Sequence, residues 1–486
     1  MHALLLALAL NWNADVAHLK TELSKQHPNL PAAVMRELDS FRTRAATMET
    51  HEAVVDLARV LALAEDGHTR LTFPVEGFFQ GHSKTAPANV PSFHTLPVRF
   101  TLFDDGLTIT RAADAKLVGA RVTRIGSMSA EEAIAAVMPV VHGDNDSQKR
   151  EIAASYLTMP EVLHARRVIP SLDEAAITLE SGETIVLKPQ SLGPLPAVRP
   201  WAFRKTGDAV IFDYVEVANT PEKTLAQFAD ELFRELNGEM AGKLIIDLRE
   251  NWGGNGSLNR ALLHHILRAK SLQTPGNLFV LTGRRTFSAA IMFLIDLEQH
   301  TNAIVIGEPT GGRPNHYGDS RRIVLPHSGL TVRASTLYWQ LSDPRDLRHW
   351  IAPHVAAPPT AADFRANRDA AMEIALDYFG GAPSAKVEGS WSGVVTLEHQ
   401  RVPFTLRDGK FTCEELKDVK DMTLELRAGT KRLAGILRTG GMEFLVTGSR
   451  NAGVPAAGPQ ASRGRRDAAR PAGETPAFQK ERESAP

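Results

Sequence analysis

Between residues 208 and 310, short apolar runs alternate with amphipathic segments, and this alternation constrains the fold more than any other feature of the chain. Val210 to Tyr214 reads as a strand and Leu225 to Leu236 as an amphipathic helix. Strand 243–249, helix 257–269, strand 277–283, helix 288–299 and strand 303–307 follow. Strands interleaved with helices of about a dozen residues specify βαβ units and a parallel sheet. The crossovers share one hand, so the carboxyl ends of the strands lie along one edge. In open α/β sheets, ligands bind beyond that edge. Three loops should line it: 249–256, 283–288 and 307–316.

The flanking chain has other textures. Residues 1–75 read as a helical region, with Val16, Leu19 and Leu23 on one face and a second apolar run from Glu52 to Glu65. Gly67 follows that run, where a helix C-cap favours glycine. Residues 76–198 read as a small β-rich module around one helix, Ala130 to Val137. The α/β core spans 199–380, and a separate β unit spans 388–448. The tail, 449–486, is Ala, Pro, Gly, Arg and Glu without periodicity, and is expected to be disordered.

Several classes of function drop out. A formal net charge of −1 gives no electrostatic case for nucleic acid. Cys413 is the sole cysteine, which removes a disulfide framework and any cysteine-based zinc site. No H-E-x-x-H occurs, and the adjacent His264 and His265 point to different helix faces. No metal and no cofactor is expected. GEPTGGRP lacks the lysine of a phosphate loop and the hydroxyl after it, and no G-x-G-x-x-G follows a strand, so nucleotides are set aside. The opening MHALLLALAL is too short to span a bilayer. It reads either as the first turns of a packed helix or as an atypical signal peptide. The second reading would place the protein in a periplasm or outside the cell, the first in the cytoplasm.

The three loops carry a chemistry. In KLIIDLRENWGGNGSLN the chain leaves a core strand through Gly253 and Gly254 and starts a helix at once. Paired glycines let backbone N–H groups turn outward and approach a ligand closely. In GRRTFSAAIM, Ser288 opens an apolar helix. Taken alone, the glycines make a tight turn and the serine a helix N-cap. Taken together, they suit acyl transfer, which needs a nucleophile and donors for a developing oxyanion. The amide of Ala289 would be one donor, and that of Gly253 or Gly254 the other. Asp247 and Glu308, at strand ends, read as structural carboxylates that satisfy loop amides or pair with arginine.

Four motifs in order now carry a family resemblance. Asp247-Leu248-Arg249-Glu250-Asn251-Trp252-Gly253-Gly254 resembles the D-L-R-x-N-x-G-G signature of the C-terminal processing (tail-specific) peptidases and the tricorn core protease. Thr286-Phe287-Ser288-Ala289-Ala290 sits where that family carries its nucleophilic serine. Gly307-Glu308-Pro309-Thr310-Gly311-Gly312 is similar to its G-E-x-T-x-G loop, and Glu65-Asp66-Gly67-His68-Thr69 to the D-G-H-T element of the tricorn-like branch. The resemblance runs from about residue 14 to 375.

It implies a multidomain α/β protein with a crotonase-like (ClpP-like) core, an N-terminal helical region and a degenerate PDZ-like module over 76–198; the small C-terminal β unit lies beyond the resemblance. It implies a serine peptidase acting on peptides or unfolded protein through an acyl-enzyme, with Ser288 as nucleophile. The lysine base of the bacterial branch has Gly312 and Arg313 in its place. A guanidinium stays protonated at neutral pH and cannot serve. His68, matching the histidine of the tricorn-like branch, becomes the expected base. Thr69, Asp343 and Asp346 are the candidates for orienting its ring. No nucleic acid and no integral membrane span are expected, and self-association is allowed. Two other uses of such a scaffold are an inactive ligand- or peptide-binding protein and an acyl-CoA enzyme.

Overall fold

The computed structural model describes residues 10–75, 89–193, 198–238, 242–378, 382–397 and 400–451. The apolar stretch 1–9 and all of the tail beyond 451 lie outside the described residues, as does most of the connection between the helical region and the β-rich module.

At the centre is a six-stranded sheet. Its order is Val355–Ala356, Ile304–Gly307, Leu278–Thr282, Lys243–Asp247, Ala209–Tyr214 and Trp201–Thr206. Every pairing is parallel except that of the two strands at the Trp201 edge, which form an antiparallel hairpin. Alternate residues supply two apolar layers. Val210, Phe212, Leu244, Ile246 and Val280 face helices Leu225–Gly238, Asn259–Arg268 and Ala289–His300. Ile211, Ile245, Phe279, Leu281 and Ile306 face Ala370–Leu376 and, through Ala434, the C-terminal strands. A parallel sheet covered on both faces needs these near-continuous apolar runs. The expected strands and helices of 208–310 therefore form, within a residue or two of their read limits.

The helical region contains Trp12–Gln26, Ala32–Arg44 and Thr50–Ala62, the last opened by a reciprocal Glu49–Glu52 capping box. The chain then enters a short strand, Arg70–Thr72. That strand pairs antiparallel with Thr331–Ala334, which pairs with Arg321–Val324. This three-stranded sheet ties the helical region to residues 321–334, and it fixes where residue 68 can sit.

The β-rich module is an antiparallel sheet of Val98–Phe103, Gly106–Ala112, Arg121–Ile125, Ala175–Leu179 and Thr184–Leu187. It carries two helices beyond the expected Ala130–Val137, namely Asp146–Tyr156 and Pro160–Ala165. The C-terminal unit is a six-stranded antiparallel sheet around Trp391, Phe404 and Leu406. No helix among the described residues is long and apolar enough to cross a membrane.

Candidate active site

Ser288 follows strand Leu278–Thr282 and directly precedes helix Ala289–His300. Its backbone holds φ 54° and ψ −122°, a region that L residues rarely occupy. The neighbouring loops maintain that strain. Thr286 donates its hydroxyl to the Leu248 carbonyl (2.8 Å), and the Phe287 amide donates to the Asn251 carbonyl (3.1 Å). The amides of Gly311 and Gly312 both donate to the Thr286 carbonyl, at 3.1 and 3.2 Å. The three glycine-bearing loops thus converge on the serine, as an over-determined strained residue requires.

His68 meets Ser288 across 220 residues of sequence: its Nε2 lies 3.0 Å from the serine Oγ. The ring packs flat against Phe287, centroids 4.3 Å apart, and lies nearly parallel to His316 at 6.0 Å. Burial is the largest influence on the imidazole and pushes its pKa down to about 3; the Asp66 charge opposes this, and His316 and Arg70 reinforce it. The resting ring is therefore neutral at physiological pH, the state a proton acceptor needs.

The carboxylate beside this ring is Asp66, two residues before it in sequence and outside the set of expected orienting residues. Its Oδ1 accepts the His68 amide at 2.8 Å and lies 3.9 Å from His68 Nδ1. Its Oδ2 accepts the hydroxyls of Thr69 and Ser335, each at 2.6 Å, and lies 3.2 Å from His27 Nε2. Burial works against its charge. The His27 and hydroxyl hydrogen bonds and the coupling to His68 outweigh burial and hold the carboxyl below the usual carboxylate range.

The expected orienting residues stand elsewhere. Thr69 turns its hydroxyl to Asp66 rather than to the ring, because an ionised carboxylate is the stronger acceptor. Asp343 is committed to Arg345, and Asp346 to Arg348, which also binds Glu298. Both belong to a turn that packs on Asn315 through its carbonyls.

The glycine loop splits its two expected donors. The Gly253 amide donates to Asn251 Oδ1 at 2.8 Å, so it does not serve an oxyanion. Gly253 is a spacer. Its φ is +105°, and a Cβ there would fall 2.6 Å from the Ser288 Cβ and 2.9 Å from the Ala289 nitrogen. Among the described residues, the amides of Gly254 and Ala289 donate to no protein group. Ala289 occupies the first position of its helix, where amides lack intrahelical acceptors. Asn251 and Asn259 brace this arrangement. Asn251 also donates to the Tyr214 carbonyl (2.9 Å), while Asn259 links the Tyr214 hydroxyl (2.6 Å) to the Ala289 carbonyl (2.9 Å).

The remaining candidates are structural. Asp247 and Asp369 clamp Arg249 through paired contacts of 2.6 to 2.9 Å. Glu308 binds Arg284 at 2.7 Å. Arg313 donates to the Asp144 carbonyl. Gly254, Ser288 and His68 open into one cavity of about 780 Å³, walled by Trp252, Phe287 and Met292.

Residues 260–357 match the model of peptidase family S41. The fold is shared with solved structures of CPAF. Mature CPAF complexed with lactacystin superimposes with a TM-score of 0.53 at 14% identity, covering 75% of this chain and 97% of that one. A serine-to-alanine mutant of CPAF gives 0.54 at 14%, covering 76% and 96%. The photosystem II D1 C-terminal processing protease gives 0.39 at 14%, covering 72% and 93%. No curated protein matches the chain in sequence. The match over residues 260–357 and the fold shared with CPAF make this α/β multidomain chain similar to the family S41 peptidases.

Proposed function

We propose that the chain is a serine peptidase of the tail-specific, tricorn-like type. The observation that carries this reading is the 3.0 Å contact between His68 Nε2 and Ser288 Oγ, made by a neutral imidazole and a serine on a strained turn. In this mechanism Ser288 Oγ attacks a peptide carbonyl and His68 Nε2 takes its proton. The tetrahedral oxyanion forms against the amides of Ala289 and Gly254. Its collapse expels the amine, which receives the proton from His68, and leaves an acyl-enzyme on Ser288. Water then enters, gives its proton to His68, and repeats the sequence in reverse.

Asp66 is a positioning residue here. It holds the His68 backbone, and its charge lies 3.9 Å from Nδ1, where it stabilises the imidazolium formed during the reaction. We read residues 199–380 as a crotonase-like core and 76–198 as a degenerate PDZ-like module that brings peptide to the site. The reading is tested by hydrolysis of an unfolded protein such as reduced, alkylated casein. The wild type should cleave it, and Ser288→Ala, folded to the same melting temperature, should not. A well-folded wild type that leaves casein and short peptides intact would point instead to a binding protein on this scaffold.

A further inference from the structure

The small sheet that brings His68 into place also contributes to the lining of the Ser288 cavity. Its register puts Arg70 directly across from Arg333, and Arg333 directly across from Arg322. Cross-strand partners share a face, so the three arginines form one row. The adjoining row, Leu71, Val332 and Ile323, points the other way and is buried in the core at 4%, 0% and 2% exposure. The arginine face therefore has a fixed orientation. Arg70 and Arg333 line the same cavity as Ser288 and His68.

Like charges directly opposite on a sheet are destabilising. The charged form is disfavoured in both cavity-lining groups. Burial and then the neighbouring Arg333 charge lower the Arg70 pKa to about 10, while burial and then Arg322 lower that of Arg333. Among the described residues, neither Arg333 nor Arg322 makes an ion pair. The lining contains one carboxylate, Asp319, which accepts the Trp339 indole N–H at 2.7 Å. A row of like-charged guanidiniums, two of which line the same cavity as the nucleophile, is arranged to take an anion.

Resting on the peptidase reading, we infer that the Arg70–Arg333–Arg322 row is a substrate-binding subsite for a peptide carboxylate, selecting peptides that place an acidic group in the Ser288 cavity. A forked guanidinium pair suits a planar carboxylate. The carboxylate has two sources, an Asp or Glu side chain or the chain terminus, and one experiment separates them.

In the first arm, acetylated and amidated peptides carry a single Glu scanned along the chain, each with a Gln twin. In the second, peptides without acidic side chains carry either a free or an amidated C-terminus. A wild-type preference of about ten-fold or more in kcat/KM for one carboxylate form is expected, the discrimination of a charge-assisted hydrogen bond. Preference in the first arm assigns a side chain, and preference in the second assigns the terminus. Arg333→Gln should bring the favoured pair together, and Arg333→Glu should turn preference toward a lysine twin. Should Arg333→Gln lose its fold, Arg322→Gln at its exposed position carries the same comparison. Binding of the same pairs to Ser288→Ala protein, read by fluorescence anisotropy, keeps the inference separate from catalysis. Absence of hydrolysis with retained carboxylate preference would refute the peptidase reading alone. No preference in either arm, in turnover or in binding, would overturn the subsite.

Discussion

Gly253 offers a sharp test of how the glycine loop works, because its amide is engaged elsewhere and only its missing side chain matters. In Gly253→Ala the new Cβ would lie 2.6 Å from the Ser288 Cβ, 2.9 Å from the Ala289 nitrogen and 3.1 Å from the Phe287 carbonyl oxygen. Non-bonded carbons settle at about 3.5–4.0 Å, so loop and serine must part by roughly 1 Å. None of the three obstacles is the end of a flexible chain; two are backbone atoms. A φ of +105° adds strain of about 1–3 kcal/mol for an alanine. A displacement of about 1 Å between a nucleophile and the donors that serve it costs on the order of 10²-fold in rate. Gly253→Ala should therefore react with a fluorophosphonate about 10²-fold more slowly than the wild type, with a lowered melting temperature but an intact fold. Gly254→Ala faces a different obstacle, the Val217 carbonyl oxygen 2.4 Å away, and should also lose rate. Wild-type labelling by Gly253→Ala would show that the loop does not pack under Ser288 as described.

Asp66→Asn removes the charge that opposes the lowering of the His68 pKa and sets an amide N–H₂ against groups that are themselves donors. It should lower kcat about 10²-fold or more and move the acid limb of the pH–rate profile to lower pH, whereas a purely structural role would leave that limb in place. In the wild type, burial lowers the His68 pKa to about 3. The acid limb of kcat/KM should therefore lie well below the value near 6.5 of an ordinary histidine; a limb at or above that value contradicts the burial argument. Ser335→Ala leaves Asp66 with its other donors and should destabilise by about 1–2 kcal/mol in chemical denaturation, with only a small change in kcat. Burial, and then the Asp66 charge, raise the pKa of Asp144, which accepts the Gly67 amide at 2.7 Å. A raised carboxyl pKa favours the fold at low pH, and this stability fades as pH rises through the folded value. Asp144→Asn should thus gain melting temperature relative to the wild type between about pH 5 and pH 8, and a constant difference would refute the shift.

The core was legible because its signal is local. Leu244-Ile245-Ile246 ends at Asp247, Gly253 and Gly254 turn the chain, and the next apolar period starts within a few residues; each step reads from neighbours. Ser288 was legible locally only as the residue that opens an apolar helix; its reading as a nucleophile rests on the neighbouring loops and the family resemblance. Helix Asp146–Tyr156 was missed although Asn145 caps it, because Lys149, Arg150 and Glu151 interrupt its apolar period. Pro160 likewise opens its short helix in a stretch read as strands. Asp66 stood in plain view two residues before His68. Its role emerges only when Ser335, 269 residues away, and His27 close around it. The division between Gly253 and Gly254 was hidden in one side chain, that of Asn251, which takes one amide and leaves the other. The arginine row depends on strand register, which pairs residue 70 with 333 and 333 with 322 and has no trace in linear spacing.

The pairing of Ser288 with His68 is the centre of this account, and intact-protein mass spectrometry after exposure to a fluorophosphonate tests it most directly. The account predicts one added phosphonyl group on the wild type, mapped by peptide digestion to Ser288. Labelling should be absent from Ser288→Ala and at least about 10²-fold slower in His68→Ala, where the serine remains but its base is gone. An adduct on another residue, or His68→Ala labelling at the wild-type rate, would contradict it.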